Sequence, residues 1–174
     1  GGSLDLQQAI AQLYGDNITA ENIVVFPGGQ VALQTAAIAL LDKDSHSIVF
    51  SPSYQSVLCA PAHAGSQVTE VPLYPEDNWQ IDLKAVKAAI QTNTKYRVIK
   101  EPYNPAGTLM SPMLQQQLKE IDEKDGIYLL SDEVYRLLEH EAKDRLPAMA
   151  DIYSKGLSVG TFSKPWGGCG ITIG

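Results

Sequence analysis

Hydrophobic residues recur at two different spacings along the chain. Apolar residues return every three or four positions over 4–13, and an alanine-rich segment over 30–41 is apolar on a wide face, so both are predicted helices. Further helices are predicted at 82–90 and 111–124, the first with Asp82 as its N-cap. A further helix is expected between the loop at Ser51-Pro52-Ser53-Tyr54 and residue 67.

Short apolar runs lie between the helices and predict β-strands. Seven are expected, at 23–26, 47–50, 67–73, 96–99, 127–130, 157–161 and 170–174. Such runs alternating with helices indicate a mainly parallel sheet covered on both faces. No linker or internal repeat divides the chain, so residues 1–174 are predicted to form one three-layer αβα domain of the α/β class. Ligands of such domains bind beyond the carboxyl ends of the strands.

The composition narrows the classes of partner. A formal net charge of -7 disfavours nucleic acid and anionic membrane surfaces, because both are negatively charged themselves. The two cysteines are far apart and have neither disulfide-framework nor zinc-site spacing. No apolar stretch is long enough to span a bilayer and no secretion signal opens the chain, so a cytoplasmic protein is expected.

A glycine turn separates the first predicted strand from the alanine-rich helix. Its residues are Pro27-Gly28-Gly29-Gln30. Small residues at this place let backbone N–H groups approach a phosphate at the helix N-terminus. The alternative is a tight turn with no ligand, since glycine occurs in many such turns. The spacing is neither that of a dinucleotide-binding turn nor that of a P-loop.

An acidic residue follows the strand predicted at 127–130. Asp132, within Ser131-Asp132-Glu133-Val134-Tyr135, should be buried at that strand's carboxyl end. A buried carboxylate needs a cationic partner, and a protonated pyridine nitrogen would serve. The alternative is that Asp132 caps a following helix.

A lysine follows the strand predicted at 157–161. In Thr161-Phe162-Ser163-Lys164, the amine of Lys164 is expected to lie at the end of a buried strand. Desolvation would lower its pKa and favour the neutral amine that forms an imine. The alternative is an ordinary solvated surface lysine.

Taken together and in this order, these motifs resemble the class I and II aminotransferases. These are pyridoxal-5'-phosphate (PLP) enzymes with the aspartate aminotransferase fold, also called fold type I. Tyr103-Asn104-Pro105-Ala106-Gly107 resembles the family's NP[TA]G segment, residues 131–135 its DExY segment and residues 161–164 its SxSK segment. The resemblance covers nearly the whole chain.

The resemblance implies roles for the residues around the cofactor ring. Lys164 would form the Schiff base and carry the proton, and Asp132 would pair with the pyridine nitrogen. Asn104 and Tyr135 would hydrogen-bond the phenolic oxygen of the ring, and Tyr54 would stack on its face.

The resemblance also implies a phosphate site. Gly29 and Gln30 would bind the phosphate through backbone amides, and Thr161 and Ser163 through hydroxyl groups. Thr172 stands where the family has a phosphate-binding arginine. A hydroxyl cannot replace the bidentate guanidinium, so weaker retention of PLP is predicted.

The implied activity is transfer of an amino group between an amino acid and a 2-oxo acid, in a homodimer. Residues 1–174 resemble the large domain of the family, and we expect a truncated form that lacks the N-terminal arm and the C-terminal small domain. Two alternatives remain open. One is an inert module that folds, with or without binding PLP or dimerising. The other is the domain of another fold type I enzyme such as a lyase, decarboxylase or oxidase.

Overall fold

A computed structural model describes residues 1–174 and contains six α-helices and five β-strands. The helices are α1 (Leu4–Ala11), α2 (Gly29–Leu40), α3 (Gln55–His63), α4 (Leu83–Ala89), α5 (Pro112–Asp125) and α6 (Met149–Ile152). The strands are β1 (His46–Ser51), β2 (Gln67–Pro72), β3 (Thr94–Lys100), β4 (Tyr128–Asp132) and β5 (Gly156–Val159). None of the helices combines the length and the apolar character needed to cross a membrane.

The five strands form one parallel sheet in the order β2-β1-β3-β4-β5. Neighbouring residues of a strand point to opposite faces, so Val49 packs with α2 and α3 whereas Ile48 packs with α4, α5 and α6. The predicted α/β class and the three layers are therefore confirmed. All carboxyl ends of the strands lie along one edge of the sheet.

Local sequence signals begin and end the helices where they were expected. The carboxylate of Asp82 accepts a hydrogen bond from the Lys84 amide at 2.8 Å, which confirms its capping role. Ser111 caps α5 in the same way, by accepting from the Leu114 amide. Gly126 ends α5 with φ of 68°, a left-handed conformation that favours glycine.

The prediction of seven strands is wrong, because residues 23–26 and 170–174 do not join the sheet. Phe26 and Gly174 exchange two backbone hydrogen bonds with each other, at 2.7 and 3.1 Å, and this single pair does not extend into a ladder. β5 ends at Val159 rather than at Thr161, because the chain then turns and the Phe162 amide donates to the Ile173 carbonyl.

Candidate active site

Strand register brings charged side chains together at the carboxyl edge of the sheet. In the parallel pairing of β3 with β4, Lys100 lies beside Asp132, and in the pairing of β4 with β5, Asp132 lies beside Val159. The segments that carry Tyr54 and Asn104 leave the same edge, after β1 and β3. The fold thus gathers residues that are distant in sequence.

Asp132 is buried and has hydrogen-bond partners for both carboxylate oxygens. Oδ2 lies 2.5 Å from Nζ of Lys100, and the two side chains are only 1% and 2% exposed. Oδ1 accepts a hydrogen bond from the Val134 amide at 3.3 Å. Residues 134–137 form a turn and not a helix, so the alternative of a helix cap at Asp132 is wrong. The expected burial is confirmed, and the cation that satisfies the carboxylate in this structure is Lys100.

The ring of Tyr135 connects the two lysines of the site. Nζ of Lys164 lies 5.8 Å from the centre of this ring, and Nζ of Lys100 lies 5.4 Å from it. Nζ of Lys100 is also 5.9 Å from the centre of the Tyr54 ring. These distances are within the range of cation–π attraction. Lys164 and Lys100, the partner of Asp132, therefore approach the same aromatic side chain from different elements.

Lys164 differs from its sequence-based description in one respect. Its side chain is exposed and belongs to a turn that follows β5, whereas the sequence suggested a desolvated amine at a strand end. The reason is the early end of β5, which leaves residues 160–164 outside the buried sheet.

The N-terminus of α2 lies against the segment that follows β5. Gly28 adopts φ of 97°, a conformation that glycine tolerates, and Gly29 begins the helix. A Cβ atom built on Gly29 would lie 3.8 Å from Cβ of Thr161. The Thr161 hydroxyl lies 3.1 Å from that of Ser163 and donates to the Ile173 carbonyl at 2.8 Å. Gln30, the second residue of α2, is exposed.

Thr172 and Asn104 are the remaining residues that the sequence singled out. Thr172 lies beside the same helix N-terminus, with its methyl group 3.5 Å from a Cβ atom built on Gly28. Asn104 is half-buried in the segment after β3, and no side-chain hydrogen bond connects it to the other predicted residues.

A cavity of about 610 Å³ lies beside β5, and Thr161 is the one predicted site residue that lines it.

The donor set fits a phosphorylated aromatic aldehyde such as PLP. The N-terminus of α2 and two hydroxyl groups suit a phosphate, and the buried carboxylate of Asp132 suits a protonated ring nitrogen. The amine of Lys164 suits the aldehyde, and Tyr54 and Tyr135 offer aromatic surfaces. The pairing of Lys100 with Asp132 is the feature that this fit does not explain.

Sequence reasoning missed three buried charged residues at this edge, namely Lys100, Glu101 and Glu133. The pattern that pointed to Asp132, a charged residue directly after an apolar run, also applies to these three residues and could have identified them. Burial raises the pKa of Glu101 to about 7, although its carboxylate accepts a hydrogen bond from the Met110 amide. These groups lie beside the predicted site and influence its charge.

Glu133 should make the folded protein less stable at alkaline pH. Burial raises its pKa from 4.5 to about 7, although Oε1 accepts hydrogen bonds from the Met149 amide and the Ser158 hydroxyl. The folded state keeps a proton that the unfolded state releases, so this contribution to stability is lost as pH rises from about 4.5 to about 7. We expect Glu133→Gln to raise the free energy of unfolding at pH 8 by about 2–3 kcal/mol and to change it little at pH 4.5.

Urea unfolding of both proteins across this pH range measures the effect. Glu76→Gln, the same change at an exposed position, is the control and should leave the pH profile unaltered. An equal shift for Glu133→Gln at both pH values would contradict the assignment, because it would not depend on ionisation.

Comparison with known proteins agrees with this geometry. The family aminotransferase class I and II matches residues 1–174. The chain is 30% identical over 158 residues to the arginine–pyruvate transaminase of Pseudomonas aeruginosa, and 32% identical over 150 residues to the aspartate/prephenate aminotransferase of Thermus thermophilus. These alignments cover 86% and 84% of this chain but only 40% and 39% of those proteins.

Solved structures give the same result. A PLP-dependent aminotransferase from Streptococcus suis superimposes with a TM-score of 0.91 at 30% identity, and a mutant of Thermus thermophilus aspartate aminotransferase with a TM-score of 0.92 at 29% identity. Each superposition covers 99% of this chain and less than half of the other, 45% and 46% respectively. The match of the family over the whole chain, on a fold that these structures share, means that the chain belongs to the class I and II aminotransferase family.

Proposed function

We propose that residues 1–174 are the PLP-binding large domain of an aminotransferase, which transfers an amino group between an amino acid and a 2-oxo acid. The observation that carries this proposal is the convergence of Lys164 and the Asp132–Lys100 pair on the ring of Tyr135, at the carboxyl edge of a parallel sheet. Family membership supports the same reaction class.

In this proposal Lys164 supplies the reactive amine. Nζ of Lys164 would hold the cofactor at its aldehyde carbon until the amino group of the substrate displaces it, and the freed amine would then take the proton from the α-carbon of the amino acid and hold it. When bound, PLP supplies an electron-withdrawing ring that stabilises negative charge on that carbon. The exposure of Lys164 leaves its amine accessible to both molecules.

Asp132 orients and tunes the ring in this proposal. Its buried carboxylate would pair with the ring nitrogen and keep it protonated, since a carboxylate with little access to water favours a cation beside it. Tyr135 and Asn104 would donate hydrogen bonds to the phenolic oxygen, and Tyr54 would cover one ring face. These roles come from the resemblance and stay predictions.

The phosphate would bind at the N-terminus of α2. Backbone amides of Gly29 and Gln30 point out of the first helical turn, where the helix dipole favours an anion. The hydroxyl groups of Thr161 and Ser163 lie beside it and would donate to phosphate oxygens after the Thr161 hydroxyl leaves its present acceptor, the Ile173 carbonyl. Thr172 is close enough to take part, but it offers no charge, so weak retention of the phosphate remains the prediction.

The substrate class follows from the relatives only in outline. The relatives are named as an arginine–pyruvate transaminase and an aspartate/prephenate aminotransferase. The substrates in these names differ in their side chains, but each reaction pairs an amino acid with a 2-oxo acid. The chain spans less than half the length of these relatives, so the activity of a whole enzyme and its homodimeric assembly belong to the proposal.

Borohydride trapping tests the proposal directly. The protein is incubated with PLP, reduced with borohydride, digested and mapped by mass spectrometry. We expect the added mass at Lys164, because its amine is exposed and lies beside the aromatic rings of the site. Label spread over surface lysines, with none enriched at Lys164, would overturn the proposal and favour an inert module.

A further inference from the structure

Lys100 occupies the centre of the proposed cofactor site although no role has been assigned to it. It is the last residue of β3, and its side chain is 2% exposed. Its ammonium group lies 2.5 Å from Oδ2 of Asp132, and 5.9 and 5.4 Å from the ring centres of Tyr54 and Tyr135. Every one of these neighbours is a residue that the proposed function uses for PLP.

Both carboxylate oxygens of Asp132 already have a partner. Oδ1 already accepts from the Val134 amide, and Oδ2 is bound to Lys100. Each oxygen keeps a second lone pair, but a protonated ring nitrogen that used one would lie close to the ammonium group of Lys100, a second positive charge. Two positive charges that contact the same carboxylate repel each other strongly where water is excluded. Cofactor binding therefore requires that Lys100 release or share the carboxylate.

We propose that Lys100 is a positioning residue that competes with the cofactor ring nitrogen for Asp132 and so sets the affinity of this protein for PLP. The inference rests on the proposed function, because it concerns the same site. Without cofactor, Lys100 neutralises a carboxylate that would otherwise be buried alone. With cofactor, the same ammonium group opposes binding.

A PLP titration of Lys100→Met tests the inference. Methionine fills a similar volume without a charge, so Asp132 becomes available to the ring nitrogen. We expect PLP to bind at least about tenfold more tightly, because the ring no longer has to break a buried ion pair. Affinity is measured from the absorbance of the bound cofactor, and borohydride trapping identifies the lysine that holds it.

Two control variants separate competition from general effects of the substitution. Lys95→Met removes a lysine from the same strand, where Lys95 forms an exposed pair with Asp42 at 3.2 Å, and it should leave PLP affinity unchanged. Lys100→Arg keeps the charge and should bind PLP no more tightly than the wild type.

An analogue of PLP in which carbon replaces the ring nitrogen gives a second readout. It cannot pair with Asp132, so Lys100→Met should not tighten its binding, whereas a purely structural role of Lys100 would affect PLP and the analogue equally.

A thermodynamic cycle tests the ion pair without any cofactor, and it covers the case in which Lys100→Met folds poorly. Asp132→Asn and Lys100→Met should each lower stability to unfolding, and the double variant should be more stable than the sum of the two losses predicts. Additive losses would overturn the inference.

The outcomes distinguish the inference from the proposed function. Label at Lys164 in both proteins with equal PLP affinity would overturn the inference alone. Failure of wild type and variant to bind PLP would overturn both. Tighter binding of PLP, but not of the analogue, by Lys100→Met supports the inference.

Discussion

Replacing Asp122 by alanine should lower the free energy of unfolding by about 3–5 kcal/mol, because it leaves a buried charge without a partner. Asp122 of α5 lies 2.5 Å from Nη1 of Arg97 on β3, and both side chains are fully buried. Nε and Nη2 of Arg97 have no hydrogen-bond partner in the chain. In the variant, the positive charge of the Arg97 guanidinium would have no negative partner, and its N–H donors would have no acceptor. Denaturant unfolding followed by circular dichroism measures the loss.

Two further variants make this prediction specific. Glu123→Ala changes the next residue of the same helix, whose exposed pair with Lys119 at 3.4 Å should contribute at most about 0.5 kcal/mol. The double variant Arg97→Met/Asp122→Leu removes both charges and should recover most of the stability. A double variant no more stable than Asp122→Ala would show that the loss comes from packing and not from the unpaired charge.

Replacing Lys164 by alanine should abolish covalent attachment of PLP. The borohydride-trapped label should fall to background, more than about tenfold below the wild type, because the variant has no amine at that position. The absorbance band of the bound cofactor should disappear with it. Lys143→Ala, at an exposed lysine away from the site, should keep both signals.

The buried amine of Lys100 is a second candidate for the covalent label. If label in Lys164→Ala appears instead at Lys100, then Lys100 can supply the reactive amine and the assignment of Lys164 is wrong. Its close contact with Asp132 argues against this, because the carboxylate already holds the nitrogen of Lys100. The variant therefore tests which of two neighbouring lysines performs the chemistry.

Periodicity predicted the helices and the central strands well, because their signals are local. The run at 47–50 became β1, and the cap at Asp82 began α4 as expected. Periodicity failed at 23–26 and 170–174, which are apolar enough for strands but are joined to each other by the single pair of Phe26 with Gly174 and do not join the sheet. A strand exists only when a neighbour completes its hydrogen bonds, and the sequence does not record which neighbour is present.

By itself, the sequence determined the α/β class and the motifs that point to a PLP site, since periodicity and short motifs are properties of adjacent residues. Only the tertiary structure decided what each charged group faces. Register between β3 and β4 places Lys100 against Asp132, and the early end of β5 leaves Lys164 exposed. The physical reason is that ion pairing and burial depend on distances between residues that are far apart in the chain.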